Sequence, residues 1–168
     1  ELPEFAIAAR PVSNGEYRGF MEAGGYSERR YWSAAGWQWL TMAGVTQPHD
    51  WGRGGEAVTG LSRHEAGAFA AYAGARLPHE YEWEAAARAG VLEGIGGAWE
   101  WCANAFHPYP GFRFKPYREY SLPWFDGRHF VLRGAGPDSE PDICRPSFRN
   151  YYEADRRHIG AGLRLAFS

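Results

Sequence analysis

Two tyrosines in the last third of the chain, Tyr117 and Tyr120, have side chains that can take part in proton transfer. A phenol can give up a proton, or a proton together with an electron, when a hydrogen bond orients its hydroxyl. Phe112 and several prolines lie in the same segment, which is also typical of rings that simply pack while their hydroxyls face water. The residue types alone leave both interpretations open.

A second cluster combines an amide, two aromatic rings and two guanidinium groups. Asn150, Tyr151 and Tyr152 are followed by Arg156 and Arg157. An aromatic face attracts a quaternary ammonium group, and a guanidinium binds a carboxylate through two parallel hydrogen bonds. The alternative is that the two arginines form a solvated pair beside their acidic neighbours.

A set of metal ligands is not evident in the sequence. Non-haem iron usually takes two or three close His or carboxylate ligands, whereas no two of the 6 His are four residues apart. His64-Glu65 is not followed by a second His at position 68, so the zinc-protease motif is missing. Cys102 and Cys144 do not form a closely spaced thiolate pair, and we expect both to be small buried side chains. We therefore predict that this chain supplies no metal ligands.

Composition places these residues in one folded domain. The 168 residues are close to the commonest domain size, and the aromatic fraction of 17% argues against disorder. The net charge of −2 comes without a block of Lys or Arg, which argues against nucleic acid or a membrane surface as a partner. No apolar run could span a bilayer, and two cysteines do not make a disulfide framework. We expect a single domain over residues 1–168 in a cytoplasmic setting.

Helices are predicted early in the chain and short strands late. Ser13 with Glu16 and Ser62 with Glu65 have the spacing of capping boxes, so each pair should begin a helix. Further helices are expected over 28–35 and 80–89, and an irregular loop over 41–60. Strands are expected at 5–8, 99–101, 131–134 and 162–165, between Gly- and Pro-rich stretches. The sequence thus indicates an α+β fold that is rich in loops and has little regular sheet.

Five segments, in order along nearly the whole chain, resemble the motifs of the formylglycine-generating-enzyme (sulfatase-modifying factor) family. The resemblance implies a C-type-lectin-like fold. The segments are Pro11–Tyr17, Ala73–Glu84, Gly97–Trp101, Val131–Gly134 and Gly162–Arg164.

Within that family, the segments 106–112, 117–121 and 145–150 are similar to the C-terminal domain of iron-dependent sulfoxide synthases of the ergothioneine, ovothiol and selenoneine type. This resemblance implies an oxygen-dependent reaction that joins a thiol or selenium donor to histidine or a betaine of it. Tyr117 then corresponds to the tyrosine that donates a proton or hydrogen atom. The implied substrate contacts are Phe112, Tyr120, Asn150, Tyr151, Tyr152, Arg156 and Arg157.

The resemblance also implies what the chain lacks. In those enzymes Fe(II) is bound by three His of an N-terminal helical domain, so we expect the iron ligands in another domain or a partner chain and this chain to be inactive alone. Tyr152 stands where some relatives carry Asp, which leaves the thiol donor open. Two alternatives remain: a non-catalytic ligand-binding module on the same scaffold, and a copper-dependent formylglycine-generating oxidase. For the second, Ser139 occupies the position five residues before Cys144, where that oxidase has its other Cys.

Overall fold

The computed structural model describes residues 1–52, 56–110 and 126–168. Among these residues the four α-helices lie before residue 90, and all strands except one short one at Ala6–Ile7 lie after it, so the predicted α+β class is confirmed. The helices are α1 (Asn14–Glu22), α2 (Ala34–Ala43), α3 (Arg63–Tyr72) and α4 (Glu80–Arg88). The strands are β1 (Ala6–Ile7), β2 (Trp99–Ala105), β3 (His129–Arg133), β4 (Asn150–Glu153), β5 (Ala161–Gly162) and β6 (Ala166–Phe167).

Side-chain caps set where the helices begin. The Ser13 and Ser62 hydroxyls each accept a hydrogen bond from the backbone N–H three residues on. In turn, the carboxylates of Glu16 and Glu65 accept a hydrogen bond from the backbone N–H of the cap residue. Both predicted capping boxes are therefore confirmed. The fourth helix begins in the same way, with the His79 side chain as the acceptor.

The second helix differs from its sequence-based prediction. The prediction of a helix over 28–35 was wrong. The Ser33 side chain accepts a hydrogen bond from the amide of Gly36, so α2 begins at Ala34. Before it lies only one 3₁₀ turn, Arg29–Tyr31. The helix continues into the predicted loop and ends at Gly44, whose φ of 66° is a left-handed conformation that glycine adopts without strain.

Within the described residues the strands form two small sheets. One pairs β1 with β6 in antiparallel fashion, and the other has the order β4-β3-β2-β5. In the larger sheet, β3 is antiparallel to both β2 and β4, whereas β5 is parallel to β2. This order leaves β4 with one neighbour among the described strands.

The core between the helices and the sheet is strongly aromatic. Tyr17 and Phe20 of α1 meet Phe69 of α3, with Tyr17 stacked on Phe69 at 5.5 Å and Phe20 edge-on at 5.7 Å. All three rings are buried, and Trp101 and Leu132 extend the same cluster to the sheet. Such aromatic pairs add about 0.5–1.5 kcal/mol each beyond their buried area. One buried cluster thus joins α1 and α3 to the sheet.

No helix in the described ranges has the length and hydrophobicity that crossing a lipid bilayer requires.

Candidate functional site

Strand β4 borders a cavity of about 360 Å³. This volume is in the range of small-molecule sites. Four of the residues singled out in the sequence lie around it together, with two His and an acidic side chain. The lining residues are His129, Asn150, Tyr151, Tyr152, Glu153, Arg156 and His158. We call this cavity the edge pocket.

Strand alternation sends the two tyrosines to opposite faces of the sheet. Tyr151 pairs with Val131 and stacks on Phe106 at 4.3 Å, whereas Tyr152 pairs with Phe130 and packs against the main core. Burial raises the pKa of Tyr151 above its ordinary value, and neighbouring Tyr152 adds to the shift. Its phenol is therefore neutral at physiological pH and can donate a hydrogen bond.

Charged and titratable groups also border the edge pocket. The Arg156 side chain is 47% exposed and lies 3.7 Å from Glu153, a distance too long for a strong ion pair. The imidazole of His129 is held by Asp126, with 2.9 Å between Nδ1 and Oδ1. This hydrogen bond, together with one from the amide of Arg128, lowers the pKa of Asp126. Asp126 is thus ionised and fixes the His129 ring.

The other predicted substrate contact, Arg157, is engaged inside the protein. Its Nε and Nη2 donate to the two carboxylate oxygens of Glu65, each at 3.0 Å, and Nη2 also donates to the carbonyl of Gln47. Arg157 is not among the residues that line the edge pocket. The two consecutive arginines therefore have different surroundings.

At the opposite end of β4, Arg149 makes a similar pair with Glu80. Arg149 Nε and Nη2 donate to the two Glu80 oxygens at 2.8 and 2.6 Å. Glu80 also accepts from Arg133 at 2.7 Å and from Asn104 at 3.0 Å, and it is 1% exposed. No sequence pattern pointed to Glu65 or Glu80 as the partner of an arginine near the pocket. Each lies in the first turn of a helix, and only Glu80 also falls within one of the five family segments.

Three further candidates lie outside the described residues. Phe112, Tyr117 and Tyr120 belong to the segment 111–125, and their roles stay predictions.

The described residues contain no group of three or more His, Cys, Asp or Glu side chains that could hold a metal ion. They therefore do not fit the implied Fe(II). Both cysteines are free, and burial raises the pKa of the Cys102 thiol well above its usual value. The expectation that Cys144 is buried was wrong: it follows a 3₁₀ turn on the surface and is exposed.

A larger cavity of about 730 Å³ lies between α2 and the ends of β3 and β4. His64 lines it and stacks on Trp39 at 5.5 Å. Burial lowers the pKa of His64, the nearby Arg63 lowers it further, and Asp155 opposes both. Only Glu153 lines both this cavity and the edge pocket.

The lowered pKa of His64 predicts a pH dependence of stability. Because the folded protein binds this proton less tightly than the unfolded chain, the contribution of neutral His64 is complete above the unfolded pKa of about 6.5 and is lost as pH falls. We expect His64→Phe, which keeps the stacked ring, to flatten the fall in unfolding free energy between about pH 7 and pH 5. Urea titrations at several pH values measure this slope. His49→Phe, at an exposed His, is the control, and equal slopes in His64→Phe and the parent would contradict the prediction.

Comparison with known proteins agrees with the motifs. The profile of the sulfatase-modifying factor enzyme 1-like domain matches residues 1–94 and 89–168. Hercynine oxygenase of Mycobacterium tuberculosis is 35% identical over 99% of this chain and 53% of its own length. Ergothioneine biosynthesis protein 1 of Schizosaccharomyces pombe is 29% identical over 98% of this chain and 26% of its own length. The chain thus spans about half the length, or less, of these curated relatives.

Solved structures show the same fold at lower sequence identity. PvdO from Pseudomonas aeruginosa superposes with a TM-score of 0.66 at 18% identity, covering 96% of this chain and 79% of that one. Treponema denticola variable protein 1 gives a TM-score of 0.63 at 16% identity, covering 97% and 84%. The loop-rich fold that the motifs implied is therefore confirmed. The chain belongs to the family of sulfatase-modifying factor enzyme 1-like domains.

Proposed function

We propose that this chain is the substrate-binding and catalytic domain of an oxygen-dependent enzyme that joins a thiol or selenium donor to histidine or a histidine betaine. The observation that carries the proposal is the edge pocket, around which Asn150, Tyr151 and Arg156 lie together as the resemblance implies. The names of the relatives, hercynine oxygenase and ergothioneine biosynthesis protein 1, support the same pathway.

Arg156 suits a ligand carboxylate. Its guanidinium is half-exposed at the pocket, and its only described ion-pair partner is Glu153 at 3.7 Å. An incoming carboxylate can take two parallel hydrogen bonds from it at little cost, because no strong protein pair has to break. We assign this carboxylate to the thiol donor.

The aromatic and amide groups suit the histidine betaine. The face of a neutral tyrosine ring attracts a trimethylammonium group, and an amide can donate or accept a hydrogen bond at the imidazole. In the protein itself, Asn150 Oδ1 accepts a hydrogen bond from the amide of Tyr151, which leaves the NH₂ group directed away from that bond. Tyr152 lines the pocket and also packs against the core.

The proposed enzyme needs more than this chain. We propose that Fe(II) is bound by another domain or a partner chain, that Tyr117 is the proton or hydrogen donor, and that the chain alone does not turn over substrate. The coverage of at most about half of each relative supports an additional domain.

Arg156→Ala in the complete enzyme tests the assignment. We expect KM for the thiol donor to rise about tenfold or more, the effect of losing a charged hydrogen bond of about 1.5–3 kcal/mol. The KM of the histidine betaine should stay within about twofold, because other residues contact it. Steady-state kinetics with each substrate varied in turn gives both values.

The control is Arg10→Ala, which removes an exposed arginine paired with Glu93. Neither KM should change in this variant. An unchanged KM for the thiol donor in Arg156→Ala would refute the role of Arg156. Absence of any carbon–sulfur or carbon–selenium product from the complete parent enzyme would refute the proposed function itself.

A further inference from the structure

The seven residues from Asn150 to Arg156 are bracketed by two arginines that bind buried glutamates. Arg149 directly precedes this stretch and Arg157 directly follows it. Each arginine donates two hydrogen bonds to one carboxylate. We call the Arg149–Glu80 and Arg157–Glu65 pairs the two clamps.

The first clamp fixes the start of β4. Glu80 is the first residue of α4 and is held in place by Arg133 and Asn104 as well as by Arg149. The Arg149 guanidinium lies over the ring of Tyr109 at 4.2 Å and donates to the carbonyl of His107 at 2.7 Å. Arg149 therefore has few accessible rotamers, and Asn150 follows it by one peptide bond.

The second clamp fixes the far end of the same stretch. Glu65 belongs to the capping box of α3 and is 0% exposed. It accepts from the amide of Ser62 at 2.7 Å and from the Tyr26 hydroxyl at 2.6 Å, in addition to Arg157. Its position is thus set by α3 and the aromatic core rather than by the pocket.

We propose that Glu80 and Glu65 are positioning residues of the edge pocket, which act through Arg149 and Arg157 to fix the separation of Asn150 and Arg156. This inference rests on the proposed function and deepens it. Because the clamps attach to two different helices, the positions of α3 and α4 in the fold set the distance between the groups that bind the two substrates. A binding group displaced by about 1 Å can cost up to about 100-fold in rate.

The structure offers a matched control in a third buried pair. Arg164 Nε donates to Glu100 Oε1 at 2.7 Å, and the two side chains are 0% and 1% exposed. Arg164 also donates to the carbonyls of Ala8, Ala9 and Glu93. It therefore connects β2 to the residues that follow β1, and not to β4. Its loss should affect stability at least as much as the loss of a clamp.

The experiment uses Arg149→Lys, Arg157→Lys and Arg164→Lys in the complete enzyme. Lysine keeps the charge but cannot form the two parallel hydrogen bonds. We expect Arg157→Lys to raise KM for the thiol donor about tenfold and Arg149→Lys to do the same for the histidine betaine, with the other KM nearly unchanged in each. Arg164→Lys should lower the Tm by at least as much as either clamp variant does, and it should leave both KM values unchanged.

Hydrogen exchange provides a readout that does not depend on activity. Amides of Asn150–Arg156 should exchange about tenfold faster in the two clamp variants and at the parent rate in Arg164→Lys. If the parent enzyme has no activity, the proposed function is wrong, and the exchange rates still decide whether the clamps hold this stretch. Parent-like exchange at 150–156 in Arg149→Lys and Arg157→Lys would overturn the inference. KM changes of equal size in Arg164→Lys would overturn it as well, since they would reflect general destabilisation.

Discussion

Replacing Glu80 by alanine is expected to lower the unfolding free energy by about 3–5 kcal/mol, because the buried guanidinium of Arg133 loses a carboxylate partner. Arg133 is 0% exposed, and Glu80 Oε2 lies 2.7 Å from its Nη2. Glu84 at 3.0 Å would remain as a partial partner. Arg149 and Asn104 would lose the same acceptor. Urea unfolding followed by tryptophan fluorescence measures the loss, and Glu80→Gln is the milder variant if the alanine protein does not fold.

The control variant is Glu82→Ala, two residues further along α4. Glu82 pairs with Arg76, whose side chain is 37% exposed, and also completes the His79 capping box. Glu82→Ala should therefore cost no more than about 1–2 kcal/mol, because the partly exposed Arg76 can replace its lost bonds with bonds to water. Equal losses in Glu80→Ala and Glu82→Ala would show that Arg133 finds another acceptor.

Tyr117→Phe is expected to lower kcat of the complete enzyme by about 100-fold or more, with little change in either KM. A positioned proton donor acts only in the transition state, and phenylalanine keeps the ring while removing the hydroxyl. Tyr117 lies outside the described residues, and its role follows from the resemblance of 117–121 to the sulfoxide synthases. Steady-state kinetics and product analysis under saturating oxygen measure the effect.

Tyr72→Phe is the comparison for that variant. Tyr72 ends α3 and packs against Phe20 and Tyr31, in the aromatic core. Its replacement should leave kcat unchanged. A Tyr117→Phe enzyme with full kcat would exclude the phenol as the donor, whereas a rise in KM alone would make Tyr117 a substrate contact.

Local signals in the sequence predicted much of the fold. The capping boxes at Ser13 and Ser62 identified the starts of α1 and α3, because a cap depends on residues only three apart. Ser33 also caps a helix, but the residue three positions on is Gly36, so no capping box marked the start of α2. The ordered motifs then predicted the fold family, which physical patterns alone would not have done.

The surroundings of the site residues could not be predicted in this way. Adjacent Arg156 and Arg157 look equivalent in the sequence, yet one borders the edge pocket and the other binds Glu65, which lies 92 residues earlier. The partners of Arg149 are just as distant, since Glu80 is 69 residues away. Such pairs form only when the helices and the sheet pack together, so no local pattern in the sequence indicates which carboxylate each arginine will meet.

The β1–β6 ladder brings Ala6 opposite Phe167, so the described chain enters and leaves at the same small sheet. Because the two strands run antiparallel, a force that pulls Ala6 and Phe167 apart acts at one end of this ladder. Under such a load the ladder would open one residue pair at a time instead of shearing along its length.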